Sequence, residues 1–213
     1  MNRVTIKEYI KSITPKPVWS YARKIYYKLK KEPIGESSKA KPRRIKEKFF
    51  QKYCEGHGLD VGCGDDLLAS NCRRWDLEDG DAQYLYGLTD SSYDFVYSSH
   101  ALEHMIDPSV ALENWWRVLK AGGFLILYIP HRELYEKRNT LPSQWNPDHK
   151  HFFLLEKDDP PDTIGILSLI ERTLTHYEII YAKVCSEGHT ISDPTIHSDG
   201  EYSIEIVIRK KNV

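Results

Sequence analysis

A short stretch in the first third of the chain combines glycines with carboxylates. Residues 57–66 read His-Gly-Leu-Asp-Val-Gly-Cys-Gly-Asp-Asp, where an apolar run stops at Gly62-Cys63-Gly64. Glycines at a strand end allow a tight turn and let the backbone approach a ligand where a Cβ would collide. The acidic flank, with no Lys and no Ser or Thr after the glycines, argues against a phosphate-binding loop. The stretch predicts a cofactor-binding turn, and a glycine-rich turn without a ligand is the alternative.

A second group of reactive side chains lies later in the chain. Residues 145–153 read Trp-Asn-Pro-Asp-His-Lys-His-Phe-Phe, and His131 directly follows an apolar run. Imidazole titrates near neutrality, so His131, His149 and His151 are candidates for a catalytic base or for orienting a substrate. A metal site is an alternative because His and carboxylates cluster here, although no Cys joins them and no metal is expected. A plain loop is the third reading, since Asn146-Pro147-Asp148 is ordinary turn chemistry.

The elements around these residues alternate between strand and helix from residue 57 to 130, which favours a parallel α/β sheet. The helix before the last of these strands has a capping Asp107, Pro108 in its first turn and Gly122-Gly123 as its predicted end. Residues 131–161 are polar, aromatic and Pro-rich, which predicts a long loop or lid. The predicted strands are 58–61, 73–75, 93–98, 124–129, 176–184 and 202–209, and a further helix is predicted at about 163–174.

The charge of the chain is distributed unevenly along its length. Residues 1–48 hold 15 Lys and Arg against 4 Asp and Glu, whereas the remaining residues hold 15 against 27. We therefore predict a basic helical arm and linker at 1–41, with 32–41 as the linker, and a domain at 42–213 that begins with a helix at about 43–54. An acidic domain does not suit a polyanion, so no nucleic-acid partner is expected. The amphipathic helix in 17–31 suits docking on the domain, peripheral contact with an anionic membrane, or contact with a partner.

The cysteines and the hydropathy of the chain indicate the cellular compartment in which the protein is expected. The four cysteines show no Cys-x-x-Cys spacing, which is typical of free thiols in the cytosol. No apolar stretch reaches the ~18 residues of a membrane span, and the first residues lack an apolar signal core. We expect a cytoplasmic protein, with the arm at 17–31 as the segment that could contact the inner membrane surface.

Several motifs in order resemble those of class I S-adenosylmethionine-dependent methyltransferases. Asp60-x-Gly62-x-Gly64 resembles motif I, Trp75-Asp76-Leu77 the end of strand 2, and Gly80-Asp81-Ala82 the strand-3 turn. Residues 93–96 resemble motif IV, 98–104 the segment after it, and 117–126 the helix-to-strand-5 signature. The match is close over about residues 56–130 and is most similar to the small bacterial methyltransferase-11-like subgroup, related to ubiquinone-type methyltransferases. One departure is that only 11 residues separate Gly64 from Asp76, so the intervening helix must shrink to about a turn.

The resemblance implies a doubly wound, mostly parallel seven-stranded sheet whose last strand is antiparallel. It also implies S-adenosyl-L-methionine as the cofactor, held at the glycine turn of Gly62, Cys63 and Gly64, with Asp60 near its amino group. By the same resemblance, Asp76 with Leu77 would contact the ribose, although Glu78 or Asp79 could take that role instead. Asp81 with Ala82 would contact the adenine. Ser98 with His100 would lie below the methyl group.

The expected reaction is O- or N-methylation of a small-molecule or glycan acceptor. The Pro-Lys-Pro-Val-Trp segment at 15–19 resembles arms on bacterial enzymes that modify surface polysaccharides, which favours a sugar acceptor. One alternative is a nicotinamide-dependent oxidoreductase, disfavoured because Leu67 stands where Gly-x-Gly-x-x-Gly requires a third glycine. Another is a non-catalytic scaffold with a methyltransferase fold.

Overall fold

A computed structural model describes residues 35–212, so the predicted arm helix at 17–31 lies outside the described residues. The main sheet contains β1 (Gly58–Val61), β2 (Cys72–Trp75), β3 (Tyr93–Ser99), β4 (Leu119–Pro130), β7 (Tyr177–Cys185) and β8 (Ser203–Lys210), and a separate pair consists of β5 (Phe152–Leu154) and β6 (Thr163–Gly165). The helices are α1 (Glu36–Lys46), α2 (Phe49–Tyr53), α3 (Pro108–Val118), α4 (Arg132–Tyr135) and α5 (Ile166–Thr173), with a 3₁₀ turn at Leu102–His104. None of the helices in this part of the chain has the length and hydrophobicity needed to cross a bilayer.

The strand order of the main sheet is β2-β1-β3-β4-β8-β7. The first four strands pair in parallel, and β8 is antiparallel to both of its neighbours. The predicted doubly wound α/β fold with an antiparallel last strand is therefore confirmed, but the sheet has six strands instead of seven. The predicted short connection is also present, because no helix separates β1 from β2. The missing strand corresponds to residues 76–92, which form turns.

Both faces of the sheet are covered, as the alternation of side chains along its strands requires. On β4, Leu125, Leu127 and Ile129 join the larger core, which includes α3 and α5. The intervening Ile126 and Tyr128 join a second core on the opposite face, which includes residues of α1 and α2. The glycine turn after β1 therefore lies at the carboxyl edge of a sheet that is buried on both faces.

Two predicted boundaries were wrong. Residues 36–41, predicted as part of a linker, form the first half of α1, and the compact unit begins at Gly35. Burial of Arg43 and Arg44 against Glu201 and Glu205 ties this helix to β8 and the loop before it, a long-range contact that local composition does not reveal. The second error concerns α3, which ends at Val118 rather than at the glycine pair, since β4 already starts at Leu119.

The predicted loop at 131–161 is only partly irregular. It contains α4, and β5 within it pairs in parallel with β6. Phe152 and Phe153 are buried, and the backbone N–H of Lys150 donates to the carbonyl of Glu103 at 2.7 Å. The loop is thus anchored against the 3₁₀ turn that follows β3.

Candidate functional site

The glycine turn has the backbone conformation that its sequence predicts. Gly62 has φ +76° and Gly64 has φ +54°, both in the region where side chains are strained. A Cβ on Gly62 would lie 2.5 Å from Cβ of Ala101, whereas a Cβ on Gly64 would meet nothing closer than 4.0 Å. Gly62 is therefore required by close packing, and Gly64 borders open space.

A cavity of about 160 Å³ lies against this turn. Its floor is the turn itself, with Ser99 and His100 from the end of β3, and Glu36 and Ser37 come from the first turn of α1. The lining residues are Glu36, Ser37, Gly62, Cys63, Gly64, Asp66, Ser99 and His100. The volume is below the ~300 Å³ of a typical small-molecule site, so a larger ligand would extend beyond the cavity. The two acidic residues in the lining favour a cationic ligand.

Asp60 lies under the turn and is completely buried. One oxygen, Oδ2, accepts from the backbone N–H of Leu68 at 2.7 Å, while Oδ1 has no partner among the described residues. Burial raises the pKa of Asp60 to about 7. A buried carboxylate with an unpaired oxygen next to the glycine turn fits a ligand that carries an ammonium group held through water or backbone.

Asp76, at the end of β2, is the acidic residue that contacts the glycine turn. Its Oδ2 accepts from the N–H of Gly64 at 2.7 Å, and its Oδ1 accepts from the N–H of Leu77 at 2.7 Å. Each carboxylate oxygen retains a second lone pair, so both can still accept from a diol. Glu78 instead points to solvent and contacts Arg74, and the side chain of Leu77 is 92% exposed.

The predicted adenine contacts lie in a different local structure from the one expected. Because no strand precedes Gly80, Asp81 and Ala82 belong to an irregular turn and do not end a third strand. Asp81 accepts from the N–H of Gln83, and the carbonyl of Ala82 accepts from Nε1 of Trp115 at 2.8 Å. The expectation of a strand-3 turn here was wrong, and the adenine role of these two residues stays a prediction.

His100 connects the cavity to a second group of side chains. Its Nε2 lies 2.8 Å from Oγ of Ser203, and its ring packs against Tyr128, Tyr135 and Tyr202. Burial lowers the pKa of His100 to about 4, so the ring is neutral near pH 7. Of the two adjacent serines, Ser99 lines the cavity, whereas the predicted Ser98 is fully buried outside its lining.

The three predicted catalytic histidines are not brought together. His149 is buried, with Nδ1 2.6 Å from Oε1 of Glu136 and Nε2 3.7 Å from Oε1 of Glu103. His151 places Nε2 3.3 Å from the carbonyl of Ile106. His131 bonds through its backbone to Tyr202, and its Nδ1 has no partner within residues 35–212. Only His149 therefore belongs to the group that adjoins His100.

Sequence reasoning missed Glu36, Glu103 and Glu136. Glu36 accepts from the hydroxyl of Tyr202 at 2.5 Å, and Glu103 is fully buried. Burial and the nearby Glu136 and Glu36 raise the pKa of Glu103 to about 8. One available signal was the placement of Glu103 between His100 and His104 in a segment already matched to the family motif.

The comparisons with known proteins bear on the domain and on the fold. Residues 68–127 match the family model described as a methyltransferase domain, a range that begins just after the glycine turn. A candidate methyltransferase from Bacillus halodurans C-125 aligns at 14% identity over 78% of this chain and 98% of its own, with a TM-score of 0.50. A candidate methyltransferase of Haloferax volcanii, in complex with the Trm112 methyltransferase activator, aligns at 12% identity over 83% and 94%, with a TM-score of 0.51. No sequence match to a curated protein was found.

These findings confirm the predicted enzyme class at the level of domain and fold. The chain carries a methyltransferase domain in the class I methyltransferase fold, whose cofactor is S-adenosyl-L-methionine. The residues fit that cofactor. Its positive sulfonium suits the acidic lining of the cavity, its ribose diol suits Asp76, and its amine suits the buried Asp60, which would act through water or backbone. The glycine turn, Asp60 and Asp76 would hold it.

Proposed function

We propose that this S-adenosyl-L-methionine-dependent methyltransferase transfers a methyl group to a hydroxyl or amine of a small-molecule or glycan acceptor, with a sugar in surface polysaccharide biosynthesis as the preferred acceptor. The observation that carries the proposal is the position of His100. Its ring lines the cavity at the glycine turn and also contacts the aromatic, histidine and carboxylate group beyond it. A donor side and an acceptor side would therefore meet at one residue.

The chain's own residues would act by binding and alignment. When bound, the cofactor supplies an electrophilic methyl group on sulfur. The turn at Gly62 and Gly64 lets the backbone approach it, and Asp60 and Glu36 favour its positive charge. Neutral His100 can orient an acceptor hydroxyl or amine, and little more than alignment is needed for methyl transfer. A hydroxyl must also lose a proton, and the group around His149 is the nearest place for its activation.

The sugar acceptor is supported by the side chains beyond His100. The rings of Tyr135, Tyr202, Trp145 and His197 pack together, edge-to-face in three of the pairs and tilted between Tyr135 and Tyr202. Aromatic faces with hydroxyl and carboxylate groups nearby suit a ring that is apolar on its faces and polar at its edge. The basic arm would bring the cytoplasmic enzyme to the inner membrane surface, where a lipid-linked glycan would be modified.

The donor is tested first. Thermal shift and calorimetry on the full chain with S-adenosylmethionine, S-adenosylhomocysteine and NAD should show binding of the first two alone. Asp76→Ala should weaken S-adenosylhomocysteine binding at least tenfold, whereas the matched exposed variant Glu78→Ala should bind as the wild type does. Stabilisation by NAD alone would overturn the methyltransferase assignment in favour of the oxidoreductase.

The acceptor is tested separately with labelled cofactor. Incubation of the full chain with methyl-labelled S-adenosylmethionine and a set of sugar nucleotides and lipid-linked glycans should label a sugar. Cofactor binding without label in any sugar, combined with label in a non-sugar small molecule, would reject the glycan acceptor. Flotation with anionic vesicles reports on the arm, and loss of flotation at high salt is expected if it binds the surface.

A further inference from the structure

The side chain of Glu103 lacks the partners that a buried carboxylate requires. It is fully buried in the 3₁₀ turn after β3, and neither Oε1 nor Oε2 has a hydrogen-bond partner among the residues described. Three imidazole nitrogens nevertheless surround Oε1, from His100 at 3.8 Å, His104 at 3.8 Å and His149 at 3.7 Å. These separations are too long for hydrogen bonds, which rarely exceed about 3.2 Å. They leave room for an atom between the oxygen and the nitrogens.

The tautomer of His149 determines which group it presents to Glu103. Its Nδ1 lies 2.6 Å from Oε1 of Glu136, whose other oxygen accepts from Oγ of Ser143 at 2.7 Å. Glu136 as an acceptor places the imidazole proton on Nδ1, so Nε2 presents a lone pair toward Oε1 of Glu103. A proton on Glu103 cannot be shared in a hydrogen bond over the 3.7 Å between these atoms, whereas a metal ion between them can bind both. A carboxylate behind a histidine is also the usual arrangement that orients a metal ligand.

We infer that Glu103, His104 and His149 bind a divalent transition-metal ion, with Zn²⁺ as the best match. Their ligand atoms all lie within 4.8 Å of one another. Ligands at 2.0–2.2 Å from a tetrahedral ion are separated by about 3.3–3.6 Å, so the two carboxylate–imidazole pairs, at 3.7 and 3.8 Å, need shifts of only a few tenths of an ångström. The two imidazoles, whose ligand atoms lie within 4.8 Å of each other, would approach by rotation of their rings. Two imidazoles and one carboxylate are a set that catalytic zinc uses, with the fourth position open. This proposal departs from the sequence-based expectation of no metal, which treated a metal site as the alternative.

The role of the ion rests on the proposed function. His100 is the imidazole that borders both the cofactor cavity and Glu103, so the ion would lie on the acceptor side of the site. An acceptor hydroxyl in the open position would have a lowered pKa and would release its proton to water. His149 would then serve as a ligand, and the ion would take over the activation first assigned to a histidine base. The side chain of His104 is 29% exposed, which gives the ion a path from solvent.

The test measures metal content and affinity on the full chain, independently of activity. The protein is stripped with a chelator, dialysed, and titrated with ZnCl₂ by calorimetry, with zinc content measured after re-equilibration. One equivalent of bound zinc is expected, and Co²⁺ in its place should give visible absorption bands of a tetrahedral site. His104→Ala should lose stoichiometric binding, and Glu136→Gln should weaken it 10–100-fold because the orienting carboxylate is lost.

His151→Ala is the matched control, since His151 lies on the same loop but outside the three proposed ligands. It should retain one equivalent, and thermal melts should show that all three variants are folded. Absence of stoichiometric zinc in the wild type, or equal affinity in His104→Ala and the wild type, would overturn the proposal. Binding of S-adenosylhomocysteine to the same stripped sample separates the metal proposal from the proposed methyltransferase function. A protein that binds S-adenosylhomocysteine but no metal contradicts the metal proposal and leaves the methyltransferase function intact.

Discussion

The two glycines of the turn should respond differently to the same substitution. Both have positive φ, so alanine at either position costs about 1–2 kcal/mol from the left-handed conformation. At Gly62 the new Cβ would also lie 2.5 Å from Cβ of Ala101, which adds an overpacking cost of roughly 1–3 kcal/mol. At Gly64 the nearest atom would be 4.0 Å away, so the conformational cost stands alone. We expect Gly62→Ala to lower the free energy of unfolding by about 2–5 kcal/mol and Gly64→Ala by about 1–2 kcal/mol.

Urea unfolding of both variants measures the difference. Gly87→Ala is the control, because Gly87 has φ +82° with nothing within 4 Å of its added Cβ and isolates the backbone cost. Since the Cβ at Gly64 would enter space beside the cavity, calorimetry should show that Gly64→Ala binds S-adenosylhomocysteine more weakly than the wild type at a temperature where both are fully folded. Equal destabilisation by the two turn variants, or full affinity in Gly64→Ala, would refute this steric reading of the turn.

Three further predictions concern buried charges. In urea unfolding, Glu205→Gln should lower the free energy of unfolding by about 3–5 kcal/mol, because Arg44 would keep an uncompensated buried charge. Glu47 is a half-exposed member of the same network, so Glu47→Gln should cost under 1 kcal/mol in the same assay. The ion pair lowers the pKa of Glu205 to about 2, so its contribution to stability should be complete above pH ~4.5 and lost as the pH falls toward 2. Acid unfolding of the wild type and of Glu205→Gln measures this loss. An equal pH dependence in the two proteins would contradict it. Burial raises the pKa of Asp60 to about 7, so its contribution to stability should fall as the pH rises from about 4 through 7. Binding of the cofactor's ammonium group near pH 6 should release a proton from Asp60. Calorimetry should detect this release as a binding enthalpy that depends on the buffer, and Asp60→Asn should abolish the dependence.

The sheet could be predicted from the sequence because its signals are local. Apolar runs of strand length ended by glycines or charges mark β1, β3 and β4, and Asp107 caps α3 as expected. The limits of α1 could not be predicted in this way. Its first half is polar, and it is held in place by buried pairs such as Arg44 with Glu205, whose members lie 161 residues apart. Such a helix owes its start to tertiary contacts, since short polar helices are marginal by themselves.

The cofactor side of the site was also accessible to sequence reasoning, since Asp60, Gly62, Gly64 and Asp76 belong to motifs with fixed order. The acceptor side was not. Nothing in the sequence around Glu103 and Glu136 indicates that their side chains are buried, because carboxylates lie mostly at the surface. They are brought together with His149 by the path of the 131–161 loop over the 3₁₀ turn, which local sequence does not reveal.

Charge composition alone misplaces the N-terminal limit of the site. The excess of basic residues up to residue 48 suggests an arm, yet Glu36 within that segment lines the cavity and accepts from the hydroxyl of Tyr202. Ser38, in the first turn of α1, donates from its backbone N–H to Asp66 at 2.8 Å and thereby holds the helix start against the glycine turn. A chain cut at residue 42 would lose both contacts together with one acidic wall of the cavity. The start of α1 is therefore part of the cavity at the glycine turn, and its acidic residue would complement the proposed cationic donor although the surrounding segment is basic.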